Sequence, residues 1–210
     1  MINVLIADDH PVFRAGLRQI LADEPSIAVV GEAADGDEAI AKAAATAVDV
    51  VLLDITMPGA PFPNLLRCLK AQRPGLHVLV VSMHPEEQFA LRALREGAAG
   101  YLTKERSPDE LIDAIKQVVA GKKYITASLA ERLAAGLHAG GASEPHEALS
   151  AREFQILCLL GSGKCVRDIA RELSLSPKTV STHRARILRK MRLQTNADLI
   201  RYALQHGLTQ

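Results

Sequence analysis

A chain of 210 residues, 48% hydrophobic and 23% charged, has the length for two globular domains and too much apolar content for disorder. No apolar run approaches the ~18 residues of a membrane span, the N-terminus lacks the basic region and cleavage site of a secretory signal, and an absence of tryptophan argues against a base-stacking single-strand binder. The formal net charge of +1 hides a split: residues 1–125 carry 13 Lys and Arg against 17 Asp and Glu, whereas residues 149–210 carry 11 against 4, so only the second half suits a polyanion.

Five short apolar runs alternate with amphipathic stretches through the first 125 residues: INVLIAD (2–8), IAVVGE (27–32), DVVLLD (49–54), HVLVVS (77–82) and AGYLT (99–103). Several are apolar almost throughout, the pattern of parallel strands covered on both faces. Between them Phe13–Ala22, Asp37–Ala45 and Glu86–Glu96 have helical periodicity. A last helix starts at Ser107, an N-cap followed by Pro108 at the first helical position and Glu110 completing a capping box. Five β–α units with right-handed crossovers predict an α/β flavodoxin-like doubly wound parallel five-stranded sheet, in strand order 2-1-3-4-5.

A further helix is expected over Ala127–Leu137, followed by a Gly-, Ala- and Ser-rich flexible linker at 136–148. Order resumes at Leu149, where Ser150 and Glu153 form a second capping box. Four short helices then fit, at about 151–161, 166–173, 177–191 and 196–205, giving a small all-α helix-turn-helix domain. The expected organisation is a first domain over 1–123, a linker helix and linker over 124–148, and a second domain over 149–210. Cys68, Cys158 and Cys165 form no CxxC pair and read as free thiols of a reducing cytoplasm.

Doubly wound sheets hold ligands at the carboxyl ends of their strands, beside the switch in strand order. Those ends deliver Asp8 and Asp9, Asp54, Ser82, and Lys104 just past the fifth strand. Three carboxylates meeting in a partly desolvated crevice repel one another unless a hard divalent cation joins them, and Mg²⁺ takes such oxygen ligands. The remaining residues make sense if Asp54 is a nucleophile that accepts a phosphoryl group, with Lys104 and the Ser82 hydroxyl binding the added oxygens. Singly, each has a plainer role: Asp9 as a helix cap, Lys104 as a surface charge, Ser82 as a local hydrogen-bonder.

Residues 1–123 resemble a response-regulator receiver domain: I-A-D-D-H, L-L-D-I-T-M-P, V-S-M-H and G-Y-L-T-K stand in that family's order and spacing. The resemblance implies Asp54 as phospho-acceptor, Asp9 as a direct Mg²⁺ ligand, Asp8 acting through metal-bound water, and the backbone carbonyl of Thr56 as a further ligand. It also implies Ser82 as switch hydroxyl, Lys104 as the phosphate-pairing cation and a sensor histidine kinase as phosphodonor. Tyr101 matches the family's aromatic switch residue, and equally reads as a half-buried tyrosine packed on the last helix. Two positions depart from the family: Phe62, between two prolines, stands where glycine is usual, and Glu105 replaces a common proline after Lys104. Pro63 is expected to start the third helix.

In the basic half, I-A-R-E-L-S-L-S-P-K-T-V joins two helices through about four residues, and Ser176-Pro177 opens the second. Val180, Ile187, Leu188 and Met191 fall on one face of that helix, toward a core. Lys178, Ser181, Thr182, Ala185 and Arg189 fall on the outward face, flanked by His183, Arg184 and Arg186. Hydroxyls suit base edges, while the basic residues suit phosphates and can also read guanine. The plainer reading is a solvated basic helix. This half resembles the LuxR-type helix-turn-helix of the NarL/FixJ class of response regulators through Leu149, Ser150, Glu153, Ile169-Ala170, Leu173, Ser176, Thr179-Val180, His183, Lys190 and Gly207. The resemblance implies phosphate contacts from Lys178 and His183, base approach by Ser181, Thr182 and Ala185, and a homodimer on double-stranded DNA with two-fold related half-sites. Leu199, Ile200, Ala203 and Leu204 serve either that pairing or the domain's own core.

The function expected is therefore a cytoplasmic, DNA-binding transcriptional regulator of a two-component system, not an enzyme beyond self-phosphorylation and autodephosphorylation. A regulator of the same architecture working without phosphorylation is the nearer alternative. An aspartyl-phosphate hydrolase is the remote one, since such enzymes carry a second Asp where this chain has Thr56.

Overall fold

The computed structural model describes residues 1–58, 62–84, 86–126, 129–131, 145–173 and 175–208. They form two compact units, Met1–Gly140 and Gly141–Gln210.

The first unit runs β1 (Ile2–Ala7), α1 (Pro11–Ala22), β2 (Ile27–Ala33), α2 (Gly36–Ala45), β3 (Val50–Leu53), α3 (Phe62–Gln72), β4 (His77–Ser82), α4 (Glu86–Arg95), β5 (Gly100–Thr103) and α5 (Pro108–Val119). The five strands form one sheet in the order β2-β1-β3-β4-β5, every pair parallel. This is the order that the alternating β–α pattern predicts. Val4, Ile6, Val50, Leu52, Leu79 and Val81 turn to one face of the sheet, where they pack with Leu17 and Leu21 of α1 and Leu111, Ala114, Ile115 and Val118 of α5. Their alternates Leu5, Val51, Leu53, Val78 and Val80 are equally buried, so both faces are covered, as continuous apolar strands require.

Several boundaries differ from expectation for local reasons. Helix α1 begins at Pro11, which needs no amide partner in a first turn, and its N-cap is His10, without a side-chain cap bond. Asp9 is therefore not the cap of α1. Helix α3 begins at Phe62, one residue before Pro63, and the Phe62 side chain is buried. Ala60 and Pro61 of the unusual loop lie outside the described residues. Beyond α5 the chain returns to the sheet: Tyr124 makes a parallel bridge with Gly100, and its N–H donates to Ala99 O at 2.9 Å. Only glycine fits there, because a Cβ at position 100 would stand 2.8 Å from both Tyr124 Cβ and Tyr124 O. Of the helix expected over Ala127–Leu137, residues 129–131 are helical and the rest lie outside the described residues.

The second unit contains a short 3-10 turn (Pro145–Ala148), α6 (Ala151–Gly161), α7 (Val166–Glu172), α8 (Pro177–Met191) and α9 (Asn196–Gln205). The turn corrects the reading of 136–148 as flexible linker throughout. His146 Nδ1 lies 2.8 Å from the hydroxyl of Tyr202, a partner remote in sequence that no local periodicity reveals, and its ring packs against Phe154. Residues 136–144 of that stretch lie outside the described residues. Helix starts are capped as the sequence predicts: Ser150 and Glu153 form a full capping box, and Ser176 accepts from the Thr179 N–H at 3.0 Å. Thr195 and Asp198 add a capping box on α9.

Glu153 does more than cap. Its carboxylate, 4% exposed, also receives Lys190 Nζ at 2.6 Å, tying the start of α6 to the end of α8. Burial works against its charge, but Lys190 and the Ser150 hydrogen bonds outweigh burial and hold the carboxyl below the usual carboxylate range. Replacing Glu153 by Ala is expected to destabilise the second unit by about 2 kcal/mol, and by Gln, which keeps the cap, by about 1 kcal/mol. Urea unfolding followed by helical circular dichroism checks both. A carboxyl depressed in the folded state stabilises above its unfolded pKa, so this contribution is lost as pH falls below about 4.5.

Candidate functional site

Four strand ends converge at the carboxyl edge of the sheet. Asp8 follows β1, Asp54 follows β3, Ser82 ends β4, and Lys104 follows β5. Asp8 and Asp54 are each 2% exposed and Ser82 is fully buried, an unusual place for two carboxylates. A single ammonium joins them: Lys104 Nζ lies 2.5 Å from Asp8 Oδ2 and 2.8 Å from Asp54 Oδ2, itself only 3% exposed. The ammonium also sits 4.4 Å from the centroid of the Phe13 ring. Burial alone would push the Lys104 pKa down, but the charges and hydrogen bonds of Asp54 and Asp8 outweigh it and push the pKa up.

The other oxygen of Asp54 is also engaged. Oδ1 accepts from the Thr56 N–H at 3.0 Å and from the Thr56 hydroxyl at 2.9 Å. Asp8 Oδ1 accepts from the His10 N–H at 2.8 Å. Asp9 is different. Its Oδ1 is buried yet makes no hydrogen bond; His10 Nδ1 stands 2.8 Å away without the alignment of one. Donor atoms of Asp8, Asp9, His10 and Asp54 all lie within 4.8 Å of one another. Three carboxylates against one ammonium leave an excess of negative charge, and a buried oxygen without a donor is the kind of atom a cation satisfies. The donor set fits a hard divalent cation.

Around this cluster stand the expected switch residues. Ser82 Oγ accepts from the His84 N–H at 3.2 Å. Tyr101 is 1% exposed and its hydroxyl donates to the backbone carbonyl of His84 at 2.9 Å. The expectation of half-burial is corrected: Tyr101 is fully buried, and its hydroxyl is linked to the chain that follows β4. Phe13, His10 and Arg14 were not among the expected site residues. All three follow directly on Asp8-Asp9, and Phe13 and Arg14 sit on the helical turn that faces the strand ends, which is the signal that marks them.

In the second unit, Val180, Ile187 and Met191 of α8 are buried, with Leu188 partly so. Lys178, Ser181, Thr182, Ala185, Arg186 and Arg189 are exposed, and Thr179, His183 and Arg184 are half-buried. Two hydroxyls are already used: Thr179 Oγ1 lies 2.8 Å from Ser176 Oγ, and Thr182 Oγ1 donates to Lys178 O at 2.9 Å. Thr182 keeps its lone pairs and methyl group for a partner. Burial pushes the His183 pKa down; Glu153 opposes this, and Arg186, Arg152 and Lys190 reinforce it. Lys178, Arg184, Arg186 and Arg189 make no ion pair among the described residues, whereas Lys164, Lys190 and Arg201 do. On α9, Leu199 and Ala203 are fully buried in the unit's own core, while Leu204 is 62% exposed.

Residues 4–116 match the family model of the response regulator receiver domain, and residues 147–203 match that of bacterial regulatory proteins of the luxR family. The chain is 38% identical to the response regulator UvrY of Escherichia coli, covering 99% of this chain and 96% of UvrY. It is also 38% identical to the response regulator GacA of Pseudomonas aeruginosa, over 99% and 98% of the two chains. Among solved structures, RcsB of Salmonella enterica serovar Typhimurium, bound to the promoter rprA in the presence of the phosphomimetic BeF3⁻, is similar with a TM-score of 0.61 at 27% identity, covering 96% of this chain and 97% of that one.

Removing the bridging ammonium exposes the repulsion it relieves. Lys104→Met is expected to cost the first unit about 3 kcal/mol in a chelating buffer, and added MgCl2 should restore more stability to the variant than to wild type. Thermal unfolding with and without the cation checks this; equal shifts in both proteins would contradict it.

Proposed function

Since the chain belongs to the response regulators that join a receiver domain to a luxR-family regulatory domain, we propose that it is a DNA-binding transcriptional regulator switched by Mg²⁺-dependent phosphorylation of Asp54. The observation that carries this reading is the Lys104 ammonium held between Asp8 and Asp54, inside a cluster of three carboxylates at the switch point of a parallel sheet. In this reading Asp9, Asp54 and the Thr56 carbonyl would hold Mg²⁺, and Asp8 would act through metal-bound water. Bound there, the ion supplies positive charge against the developing charge on the phosphoryl oxygens.

The chain's own residues do the rest. An Asp54 carboxylate oxygen attacks phosphorus, the bond from phosphorus to the donor breaks, and the donor leaves with that bond's electron pair. No base is needed, because the nucleophile is already an anion. A sensor histidine kinase is the donor proposed in the cell. Lys104, already 2.8 Å from Asp54, pairs with an added phosphoryl oxygen, and the Ser82 hydroxyl moves to another. Tyr101 is tied to the His84 carbonyl two residues from Ser82, so a shift of that segment reaches β5 through a hydrogen bond. Phosphorylation then shifts a population between two receiver states rather than creating one.

The second unit is the proposed output. Lys178, Arg184, Arg186 and Arg189 meet phosphates, Ser181, Thr182 and Ala185 approach base edges, and His183 contacts phosphate. In this reading α9 pairs two copies on two-fold related half-sites, and the exposure of Leu204 supports it. No helix among the described residues is long and apolar enough to cross a membrane, and the cytoplasm is the proposed compartment.

Binding to a duplex operator is expected to weaken steeply with salt. Replacing Arg184, Arg186 and Arg189 by Ala should flatten the log–log slope by about 0.9 for each phosphate left without its cation. Fluorescence anisotropy over roughly 50 to 300 mM salt reads this. A slope unchanged by the triple substitution would contradict the assignment of α8 to DNA.

A further inference from the structure

Arg14, on the first turn of α1 and 16% exposed, makes two hydrogen bonds with one guanidinium. Nη1 donates to the backbone carbonyl of Asp8 at 2.6 Å, and Nε donates to Glu32 Oε2 at 3.2 Å. Glu32 lies on β2 and is itself held: its Oε1 accepts from Arg18 Nη1 at 3.1 Å, and its backbone carbonyl accepts from Lys42 Nζ. The result is a strut from β2 to the peptide between Asp8 and Asp9.

That peptide carries the site. The Asp8 N–H donates to Ala33 O at 3.0 Å, and its carbonyl receives Arg14, so Asp8 is fixed on both sides. A peptide is planar, so holding the Asp8 carbonyl also holds the amide of Asp9 and the direction in which Asp9 leaves it. Apart from the exposed His10 ring, whose Nδ1 stands 2.8 Å from its Oδ1, Asp9 has little else to hold it. Its buried Oδ1 makes no hydrogen bond, and the N-cap position of α1 belongs to His10. We infer that Arg14 is a positioning residue for the divalent-cation site, holding the Asp8–Asp9 peptide so that the Asp9 carboxylate faces Asp54, with Glu32 as its anchor. The inference rests on the receiver reading of these three acids.

Charge and geometry predict opposite signs, which makes the inference decidable. A guanidinium near the acids repels a divalent cation, so if Arg14 acted through its field, removing it would tighten Mg²⁺ binding. If it acts by holding the peptide, removing it weakens binding. Outer hydrogen-bond partners of metal ligands commonly matter at the tenfold level. Lysine keeps the charge, but one ammonium does not reproduce the planar fork that serves Asp8 and Glu32 together.

The experiment uses the full chain with Arg14→Met, Arg14→Lys and Glu32→Gln. MgCl2 titrations are followed by amide NMR shifts, and phosphorylation by a small phosphodonor is measured as a function of Mg²⁺. Arg14→Met is expected to raise the Mg²⁺ dissociation constant roughly tenfold, with Arg14→Lys and Glu32→Gln weakening it roughly threefold. The maximal phosphorylation rate at saturating Mg²⁺ should stay within about twofold of wild type, because Arg14 touches no reacting atom. Unchanged or tighter Mg²⁺ binding in Arg14→Met overturns the inference, as does a rate loss that saturating Mg²⁺ leaves in place. Should Arg14→Met fail to fold, unchanged Mg²⁺ affinity in Glu32→Gln overturns it equally. A wild type that binds no Mg²⁺ overturns the receiver reading, and this inference with it.

Discussion

One ammonium shared by two buried carboxylates is the constraint on which the first unit turns. Asp8 and Asp54 lie on adjacent strands, β1 and β3, and each is almost fully withdrawn from water. Two like charges so placed are tolerated only with a cation between them. Lys104 supplies it from the end of β5, across the width of β4, which the parallel order β1-β3-β4-β5 makes possible. One ammonium against three carboxylates leaves an excess of negative charge, which a divalent cation would offset.

The second unit rests on a comparable but smaller tie. Glu153 caps α6 and pairs with Lys190 near the end of α8, so a single buried carboxylate orients the helix that carries the exposed cations. With Lys190 occupied inward, the remaining basic residues of α8 face outward without acidic partners among the described residues. A surface that merely needed solubility would interleave both signs. Phosphate backbones are the partners that such a face fits.

Much of this is legible from the chain itself, for physical reasons. Apolar strands alternating with helices specify a doubly wound sheet, and that topology alone brings Asp8, Asp9, Asp54, Ser82 and Lys104 together. The spacing of Val180, Ile187 and Met191 likewise orients α8. What escapes is whatever depends on a backbone carbonyl or on partners far apart in sequence. Arg14 meets Asp8 through its peptide oxygen, which no side-chain pattern records. The turn at Pro145–Ala148 is secured by His146 against Tyr202, 56 residues away, within a stretch whose composition reads as linker. Thr182 spends its hydroxyl proton on Lys178 O, a choice between helix backbone and partner that sequence leaves open.

If the acid cluster makes Asp54 a phospho-acceptor, as proposed, the intact mass of the chain reports it. Wild type and Asp54→Ala are incubated with a small phosphodonor, with Mg²⁺ and with a chelator. A single added phosphoryl group (about 80 Da, the mass of the group transferred in such chemistry) is expected on wild type alone, and only with Mg²⁺. No added mass on wild type, or the same addition on Asp54→Ala, would contradict it and leave Lys104 and the three acids as a purely structural cluster beneath a DNA-binding protein that works without phosphorylation.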